Sequence, residues 1–411
     1  MEADSLNSSS LLVRLHLRVD TQLDGLISAE QSSIIEKLDI VFESSFAQRP
    51  EGESLNSLLS AASHCPNLGS VSFSSEGPDY YTLPISVVSD FLNITPFAHE
   101  LTLGPFEIQG STSDFEKLAE SFGHNDSLHR IQFTCWLSES MRMTNTNLDS
   151  IARAFAASRS LRSLYINPLF SFSEISSTVV GMLCTIPNLQ SLHLHNCGLK
   201  EDHAVSITLV LEDNQNIKDL QISCNLGERA SVALARCLRA NHTLESLLIH
   251  NTTEISDESA VGNDDYNIDL AEALGANTTL QNLSLHGVPL SEASQRAFVT
   301  MVAQENFTLQ SLSLVDMDDA LQSEMDKYLL LNESGRKHLL NGSSTTSRFD
   351  WIEALAYVSH ELDCIFYLLS KNPSLCDENG QDHNLREANI KRRAEQDAIS
   401  FDTEGKRRKT R

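Results

Sequence analysis

A short apolar pattern returns nine times along this chain, and successive copies begin 27 to 36 residues apart. In each copy an apolar residue is followed by apolar residues three and five positions later, which predicts a turn leading into a short strand. The stretch between copies has room for one helix. A single strand–helix unit cannot bury its own apolar face, so the units must stack into an array. The copies are Leu68/Val71/Phe73, Ala98/Leu101/Leu103, Leu128/Ile131/Phe133, Leu161/Leu164/Ile166, Leu189/Leu192/Leu194, Ile217/Leu220/Ile222, Leu244/Leu247/Ile249, Leu280/Leu283/Leu285 and Leu309/Leu312/Leu314.

The unit at residues 189–213 shows the pattern most completely. Its strand leucines alternate with polar residues, Cys197 occupies the turn position where a small side chain satisfies backbone groups, and Leu199 re-enters the core. A helix is predicted from Asp202 to Asp213. The predicted fold is therefore α/β: a horseshoe-shaped solenoid with a parallel sheet on its concave side and helices on its convex side. The helical period recurs in Phe115/Leu118/Ala119/Phe122, Ile151/Ala154/Phe155 and Val232/Ala235/Leu238.

The array is predicted to span residues 54–320. Residues 1–53 are predicted to form an N-terminal cap or degenerate repeats, because terminal repeats need a less apolar outer face. Between Ile249 and Leu280 one repeat is longer than its neighbours, and its acidic excess from Thr252 to Asn267 predicts an exposed loop. The weaker N-terminal copies are Leu12/Leu15/Leu17 and Ile35/Leu38/Ile40.

After the array, residues 321–376 are predicted to form a C-terminal cap with one amphipathic helix, ended by Pro373. This helix is expected to close the open end of the core, and a partner-binding helix is the alternative. Residues 377–411 are polar and charged, and a disordered basic tail is predicted there. The apolar stripe of the helix is Trp351, Leu355, Val358, Leu362, Ile365, Phe366 and Leu369.

The formal charge is −26, although the last 21 residues contain eight Lys/Arg and four Asp/Glu. An acidic body repels nucleic acid and anionic membranes, and it attracts basic protein partners by electrostatic steering. The alternative is that the charge only keeps a leucine-rich array soluble.

The eight cysteines lie mostly one per repeat, inside apolar runs, without a C-x-x-C pair. This spacing favours reduced core thiols over a disulfide framework or a zinc site. The first ten residues lack the basic-then-apolar layout of a secretory signal, and no stretch has the roughly 18 uninterrupted apolar residues of a membrane span. An intracellular protein is expected, in the nucleus or the cytoplasm.

Catalytic motifs are absent from the sequence: it has no phosphate loop, no H-E-x-x-H, no G-x-S-x-G and no calcium loop. The chain is therefore predicted to be no enzyme and to need no cofactor.

Two basic clusters stand twelve residues apart near the end of the chain. This spacing resembles a bipartite nuclear import signal. Weak, nonspecific contact with nucleic acid and a plain solvated tail are the alternatives. The clusters are Lys391, Arg392 and Arg393, and Lys406, Arg407, Arg408 and Lys409.

Residues between and just after the strand leucines should point into the groove, because side chains alternate across a strand. They form two nearly uncharged columns, so the negative charge is expected on helices, turns and loops. One column reads Ser72, Thr102, Gln132, Tyr165, His193, Gln221, Leu248, Ser284, Ser313, and the next reads Ser74, Gly104, Thr134, Asn167, His195, Ser223, His250, His286, Val315.

Four of these groove residues are histidines: His193, His195, His250 and His286. Adjacent strands lie about 4.8 Å apart, so His250 and His286 are expected to be neighbours. Imidazoles at that distance could contact a partner or share a metal. The third interpretation is a tolerant surface position, copied when the repeats duplicated. Partner contact is preferred, and no metal site is assigned.

The "N-x-T-L-x-x-L-x-L" entry into strands, as at Asn241 and Asn277, and the long helix predicted in each unit resemble the ribonuclease-inhibitor type of leucine-rich repeat over about residues 54–320. That resemblance implies a non-catalytic binding scaffold; the type includes inhibitors of ribonucleases and activators of the Ran GTPase. The stretch 331–340 and Trp351 also resemble the C-terminal cap of repeat proteins from unicellular algae. The cysteines are sparser than in ribonuclease inhibitors, and the tail is basic where Ran activators carry an acidic run.

The functional prediction is a non-enzymatic scaffold that binds a protein partner, expected to be basic, through its concave face. The alternative is a regulator of enzyme activity, either a GTPase activator or a ribonuclease-inhibitor-like protein. No membrane contact is expected. The predicted contact residues are Tyr165, Asn167, His193, His195, Gln221, His250 and His286.

Overall fold

The computed structural model describes most of the repeat array and the helices that follow it. The chain divides into two compact units, Met1–Leu329 and Leu330–Arg411. The described residues are 11–17, 35–43, 65, 67–76, 82–95, 98–109, 111–136, 155, 158–169, 176–252, 265–340 and 347–376.

The first unit is built on a single sheet in which every described strand pair is parallel. The strands follow one another in chain order, except that β4 pairs only with β5, beside the main path. This topology confirms the predicted α/β leucine-rich-repeat solenoid. The strands are β1 (Leu11–Leu17), β2 (Ile35–Glu43), β3 (Ser70–Glu76), β4 (Thr82–Pro84), β5 (Glu100–Gln109), β6 (Arg130–Trp136), β7 (Ser163–Leu169), β8 (Ser191–Leu199), β9 (Asp219–Cys224), β10 (Ser246–Asn251), β11 (Asn282–His286) and β12 (Ser311–Leu314).

All nine strong copies of the pattern form strands, and the two weaker copies lie in β1 and β2 of the same sheet. The predicted copy Leu12/Leu15/Leu17 is two residues out of register, because the ladder aligns Val13 and Leu15 with Leu38 and Ile40. Sequence reasoning did not predict β4. Helices of successive repeats pack side by side, as α4 does on α5 and α5 on α6. The helices that begin in this unit are α1 (Ile85–Ile94), α2 (Thr112–His124), α3 (Ser177–Cys184), α4 (Glu201–Glu212), α5 (Glu228–Ala240), α6 (Asp265–Ala276), α7 (Glu292–Gln304) and α8 (Asp319–Glu333), which runs on into the second unit.

One continuous core lies between sheet and helices, and it extends from Ile35 to Leu329. Cys197 and Leu199 are buried in it as predicted. The stripe predicted for α5 was wrong at Val232, which is 49% exposed. The buried face of α5 follows Ala230, Leu234 and other residues at i+4 and i+7, and Val232 lies on the opposite side of the helix.

An asparagine three residues before the first apolar residue of the pattern, such as Leu280, organises the turns between helix and strand. At Asn277 the side-chain Oδ1 accepts hydrogen bonds from the backbone N–H groups of Thr279 (3.0 Å) and Leu280 (2.8 Å). Its Nδ2 donates to the carbonyl oxygen of Leu238, 2.7 Å away in the preceding repeat. Each such asparagine therefore satisfies backbone N–H groups of its own turn and connects two repeats. This is the turn chemistry that the N-x-T motif predicts. Asn214, Asn241 and Asn306 repeat this arrangement.

The second unit contains α9 (Arg336–Leu340), α10 (Arg348–Tyr357), α11 (Leu362–Lys371) and a 3₁₀ turn (Pro373–Cys376). The prediction of one helix through this region is wrong, because the chain leaves the helix after α10 and starts a new one at Leu362. Because the two helices are separate, the apolar stripe predicted for one continuous helix does not describe the buried face of α11. Leu362 and Phe366 are 79% and 75% exposed, whereas Cys364 and Leu368 are buried. The capping role of this region stays a prediction.

No helix in these ranges combines the length and apolar character needed to cross a bilayer. Residues 253–264 of the long repeat and the two basic clusters of the tail lie outside the described residues. The prediction of an exposed loop up to Asn267 is wrong at its end, because α6 begins at Asp265 and Asn267 is buried.

The described cysteine side chains are buried, as predicted for core thiols. Burial raises the pKa of Cys184, Cys224 and Cys237 from 9.0 to about 12. We expect iodoacetamide at pH 8 to leave these three unlabelled in the folded protein, because the thiolate is the reactive form. Peptide mass spectrometry checks this, with a urea-unfolded sample as the control that labels fully. Modification of Cys224 in the folded sample would contradict the prediction. The buried cysteines are Cys65, Cys184, Cys197, Cys224, Cys237 and Cys364.

Candidate binding face of the sheet

The strands pair in register, so equivalent residues of successive repeats stand side by side on the face that points away from the core. The residue between the two strand leucines forms one such line, which we call the middle row. Its described side chains are partly exposed from Ser72 onward, whereas Asp39 at its N-terminal end is buried. The middle row is Asp39, Ser72, Thr102, Gln132, Tyr165, His193, Gln221, Leu248, Ser284 and Ser313.

The second predicted column, the exit row, is aligned over only part of its length. Ser223, His250 and His286 pair across three strands. The β8 ladder is interrupted after Leu194, so His195 has no ladder partner there. It instead approaches Ser223, with 3.5 Å between its Nδ1 and the serine Oγ.

Four predicted contact residues, Tyr165, Asn167, His193 and His195, form a compact group that we call the aromatic cluster. The Tyr165 ring centroid lies 6.0 Å from that of His193 and 5.4 Å from that of His195. The Asn167 Nδ2 donates to the Tyr165 hydroxyl at 3.0 Å, and Asn196 Nδ2 donates to Asn167 Oδ1 at 2.9 Å. These bonds fix the orientation of the tyrosine before any partner arrives.

His193 is held by a carboxylate that sequence reasoning missed. Its Nε2 lies 2.6 Å from the Asp219 Oδ2, and the Ser191 hydroxyl donates to the same oxygen at 3.1 Å. Burial raises the pKa of Asp219, but hydrogen bonds from His193, Ser191 and Ser246 outweigh it and lower the pKa overall. Asp219 is therefore ionised at neutral pH and fixes the imidazole of His193.

Asp219 belongs to a third line on the same face, formed by the residues just before the first strand leucines, which we call the entry row. The same alternation that revealed the two columns could have found it, since entry and middle rows are two residues apart. The entry row carries four charged residues, Lys37, Glu100, Arg130 and Asp219, and two of them are acidic. The prediction that the negative charge lies on helices, turns and loops is therefore wrong for this face. The row is Lys37, Ser70, Glu100, Arg130, Ser163, Ser191, Asp219, Ser246, Asn282 and Ser311.

The remaining predicted residues, Gln221, His250 and His286, lie on the strands that follow the aromatic cluster, and two of them affect the pKa of His195. Burial and the neighbouring His193 and His250 lower the pKa of His195, although its hydrogen bond with Gln221 opposes them. The His195 ring is therefore neutral at pH 7. The rings of His250 and His286 are neighbours, as expected, with centroids 6.2 Å apart. Within the described ranges no group of three or more His, Cys, Asp or Glu side chains is arranged to hold a metal ion.

No family model matches the chain. Two curated relatives are leiomodin-3 from Homo sapiens and from Mus musculus, each 27% identical over 144 residues, which are 34% of this chain. The chain matches about a quarter of their length, 25% and 24%. Among solved structures, "Leiomodin-1 Actin-Binding Site 2" is similar with 20% identity and a TM-score of 0.33, covering 37% of this chain and 85% of that one. The yeast Rad7 and Elc1 complex is similar with 14% identity and a TM-score of 0.36, covering 74% and 76%.

Proposed function

We propose that the protein is a non-enzymatic scaffold that binds another protein on the open face of its sheet. The observation that supports this most directly is the aromatic cluster, whose rings are exposed to solvent in part and already held by hydrogen bonds. Aromatic side chains dominate the energetics of many protein interfaces. Rings that are fixed in advance lose little conformational entropy on binding, which favours affinity.

The face is large enough for a specific complex. Eleven strands follow one another in the main path, and neighbouring strands are about 4.8 Å apart. A standard interface needs on the order of 800 Å² from each partner. Gln221, His250 and His286 extend the contact surface from the aromatic cluster toward the C-terminal repeats.

The chemistry of the face suits a partner with donor groups and some positive charge. Asp219 lies beside the aromatic cluster, and the chain as a whole carries a formal charge of −26. Electrostatic steering would accelerate the approach of a basic surface. Actin is the first protein to assay, because the curated relatives are leiomodins and a leiomodin-1 structure is titled for an actin-binding site.

We predict that replacing Tyr165 and His193 together by Ala abolishes partner binding and leaves the thermal transition nearly unchanged. Both side chains point away from the core, so the array should tolerate their loss. The measurement is a pull-down from native lysate with the full chain, followed by mass spectrometry and by a binding assay with the purified partner. The matched control is His242→Ala, an exposed histidine in a turn.

A partner that binds the double variant and the wild type equally would overturn the assignment of this face. A partner lost from the double variant and retained by His242→Ala would support it.

The second candidate function is regulation of an enzyme, by GTPase activation or in the manner of a ribonuclease inhibitor. Single-turnover GTP hydrolysis by candidate GTPases and ribonuclease assays, each with and without the protein, separate this candidate from a plain scaffold. A scaffold leaves both rates unchanged.

Import through the basic tail also stays a proposal, and deletion of residues 377–411 tests it by the location of the protein in cells.

A further inference from the structure

A cleft of about 490 Å³ opens at the edge of the sheet where β7 and β8 begin. Two guanidinium groups, Arg159 and Arg162, line it together with the imidazole of His129. Hydrogen-bonding amides and a hydroxyl complete most of the wall, and one carboxylate, Asp126, is also present. The lining residues are Asp126, His129, Arg159, Ser160, Arg162, Asn188 and Gln190.

The backbone holds these residues in fixed relation to one another. The N–H of Arg162 donates to the carbonyl of His129 at 2.8 Å, and the N–H of Gln190 donates to the carbonyl of Arg162 at 2.8 Å. The Ser160 hydroxyl lies 3.0 Å from two carbonyl oxygens of the preceding turn. Asn188 Nδ2 donates to the Arg159 carbonyl at 2.5 Å. The cleft is therefore preformed by bonds between repeats.

Arg159 and Arg162 differ from the described arginines on the helices of the array. Arg229 and Arg236, for example, pair with Asp202 and Glu212 at 3.0 and 2.6 Å. Among the described residues, no carboxylate oxygen lies within 4.0 Å of the Arg159 or Arg162 guanidinium. Two unpaired guanidinium groups in one cleft of a chain with a charge of −26 indicate a place for an anion.

The surroundings of His129 agree with an anion site in this cleft. Its ring stacks on His99 with centroids 5.4 Å apart and an interplanar angle of 10°. Burial, then the charge of Arg162, then His99 lower the pKa of His129. Arg162 therefore places a positive charge near the His129 imidazole, and a bound anion would offset that charge.

We propose that this cleft binds the phosphate group of a phosphorylated serine or threonine on the protein that lies on the sheet face. Guanidinium groups bind phosphate through paired hydrogen bonds, and the three terminal oxygens of a phosphate monoester match the several donors of the wall. The cleft is continuous with the binding face, since Arg162 and Gln190 precede Tyr165 and His193 by three residues, about 10 Å along the same strands. A nucleic acid is disfavoured, because a polyanion is repelled by the acidic body.

The identity of the partner rests on the proposed function, but the phosphate site can be tested without that partner. The probe is a fluorescein-labelled Ala-Ala-phosphoserine-Ala-Ala peptide, titrated with the full chain and followed by fluorescence anisotropy. We expect it to bind at least about tenfold more tightly than the same peptide with serine, since charged hydrogen bonds to one or two guanidinium groups supply that difference. Inorganic phosphate should compete.

Four variants make the test specific. Arg159→Gln with Arg162→Gln should remove the preference for the phosphorylated peptide, and Arg162→Lys should reduce it in part, because lysine keeps the charge without the planar fork. The matched control, Arg229→Gln with Arg296→Gln, removes the same charge from exposed helix positions. It should leave the preference for the phosphorylated peptide unchanged. Tyr165→Ala with His193→Ala should keep the phosphopeptide preference, so failure of the phosphate site and failure of the binding face give different results.

Equal affinity for the two peptides would overturn the proposal. So would an equal loss of the preference in the control variant, which would indicate general charge attraction, or tighter binding of a ten-nucleotide oligouridine than of the phosphopeptide.

Discussion

Replacing Leu247 by Ala is expected to lower the free energy of unfolding by about 3–4 kcal/mol. Leu247 is the first strand leucine of β10 and is 1% exposed, within the continuous core of the first unit. The substitution removes three buried carbon atoms and leaves a cavity between sheet and helices that close packing on both sides cannot fill. Urea unfolding followed by circular dichroism measures the change.

The neighbouring residue supplies a control with identical chemistry. Leu248 lies in the middle row, on the opposite face of the same strand, and is partly exposed. Leu248→Ala should cost less than about 1 kcal/mol, because most of the removed surface already contacts water. Equal losses for the two variants would contradict the assignment of the middle row to the open face.

Asn277→Ala should lower the free energy of unfolding by about 3 kcal/mol, although it deletes only a small polar group. The substitution removes five hydrogen bonds at once. Asn277 is 2% exposed, so the N–H of Leu280 and the carbonyl of Leu238 would be left without partners and away from water. The same urea experiment gives the value.

The matched control is Asn282→Ala, five residues later, where the side chain is exposed in the entry row. Its expected change is within about 0.5 kcal/mol. A loss at Asn277 no larger than this would mean that the turn hydrogen bonds are replaced by water and do not connect the repeats.

The array was predictable because strand leucines are dictated by burial. Leu192, Leu220 and Leu283 stand at the same position of each unit, and their alternation with polar residues also placed Tyr165 and His193 on one face. Register followed from the equivalent leucines of successive units, although the length between them varies, so the proximity of His250 to His286 could be predicted as well.

The contacts of the site were harder to predict because side-chain direction on an open face is not set by packing. The hydrogen bond from His193 to Asp219 joins residues 26 positions apart and depends on rotamers that periodicity does not specify. The interruption of the ladder after Leu194 likewise comes from local backbone geometry, with Asn196 at a φ of 53°. In the second unit, apolar residues continue through the break after Tyr357, so the period suggested one helix where two exist.

The asparagine described in the turns is not present in every repeat. It recurs without a gap from Asn214 to Asn306, whereas the equivalent positions before β7 and β8 carry Ser158 and Ile186. At those two turns Ser160 and Asn188 make the bonds to the preceding repeat instead. Both also line the cleft, so in this short stretch the residues that hold the array together are the ones exposed to a ligand. A ligand bound in the cleft would therefore contact the side chains that connect two repeats. It would restrain the motion of these repeats relative to each other in addition to making its own contacts.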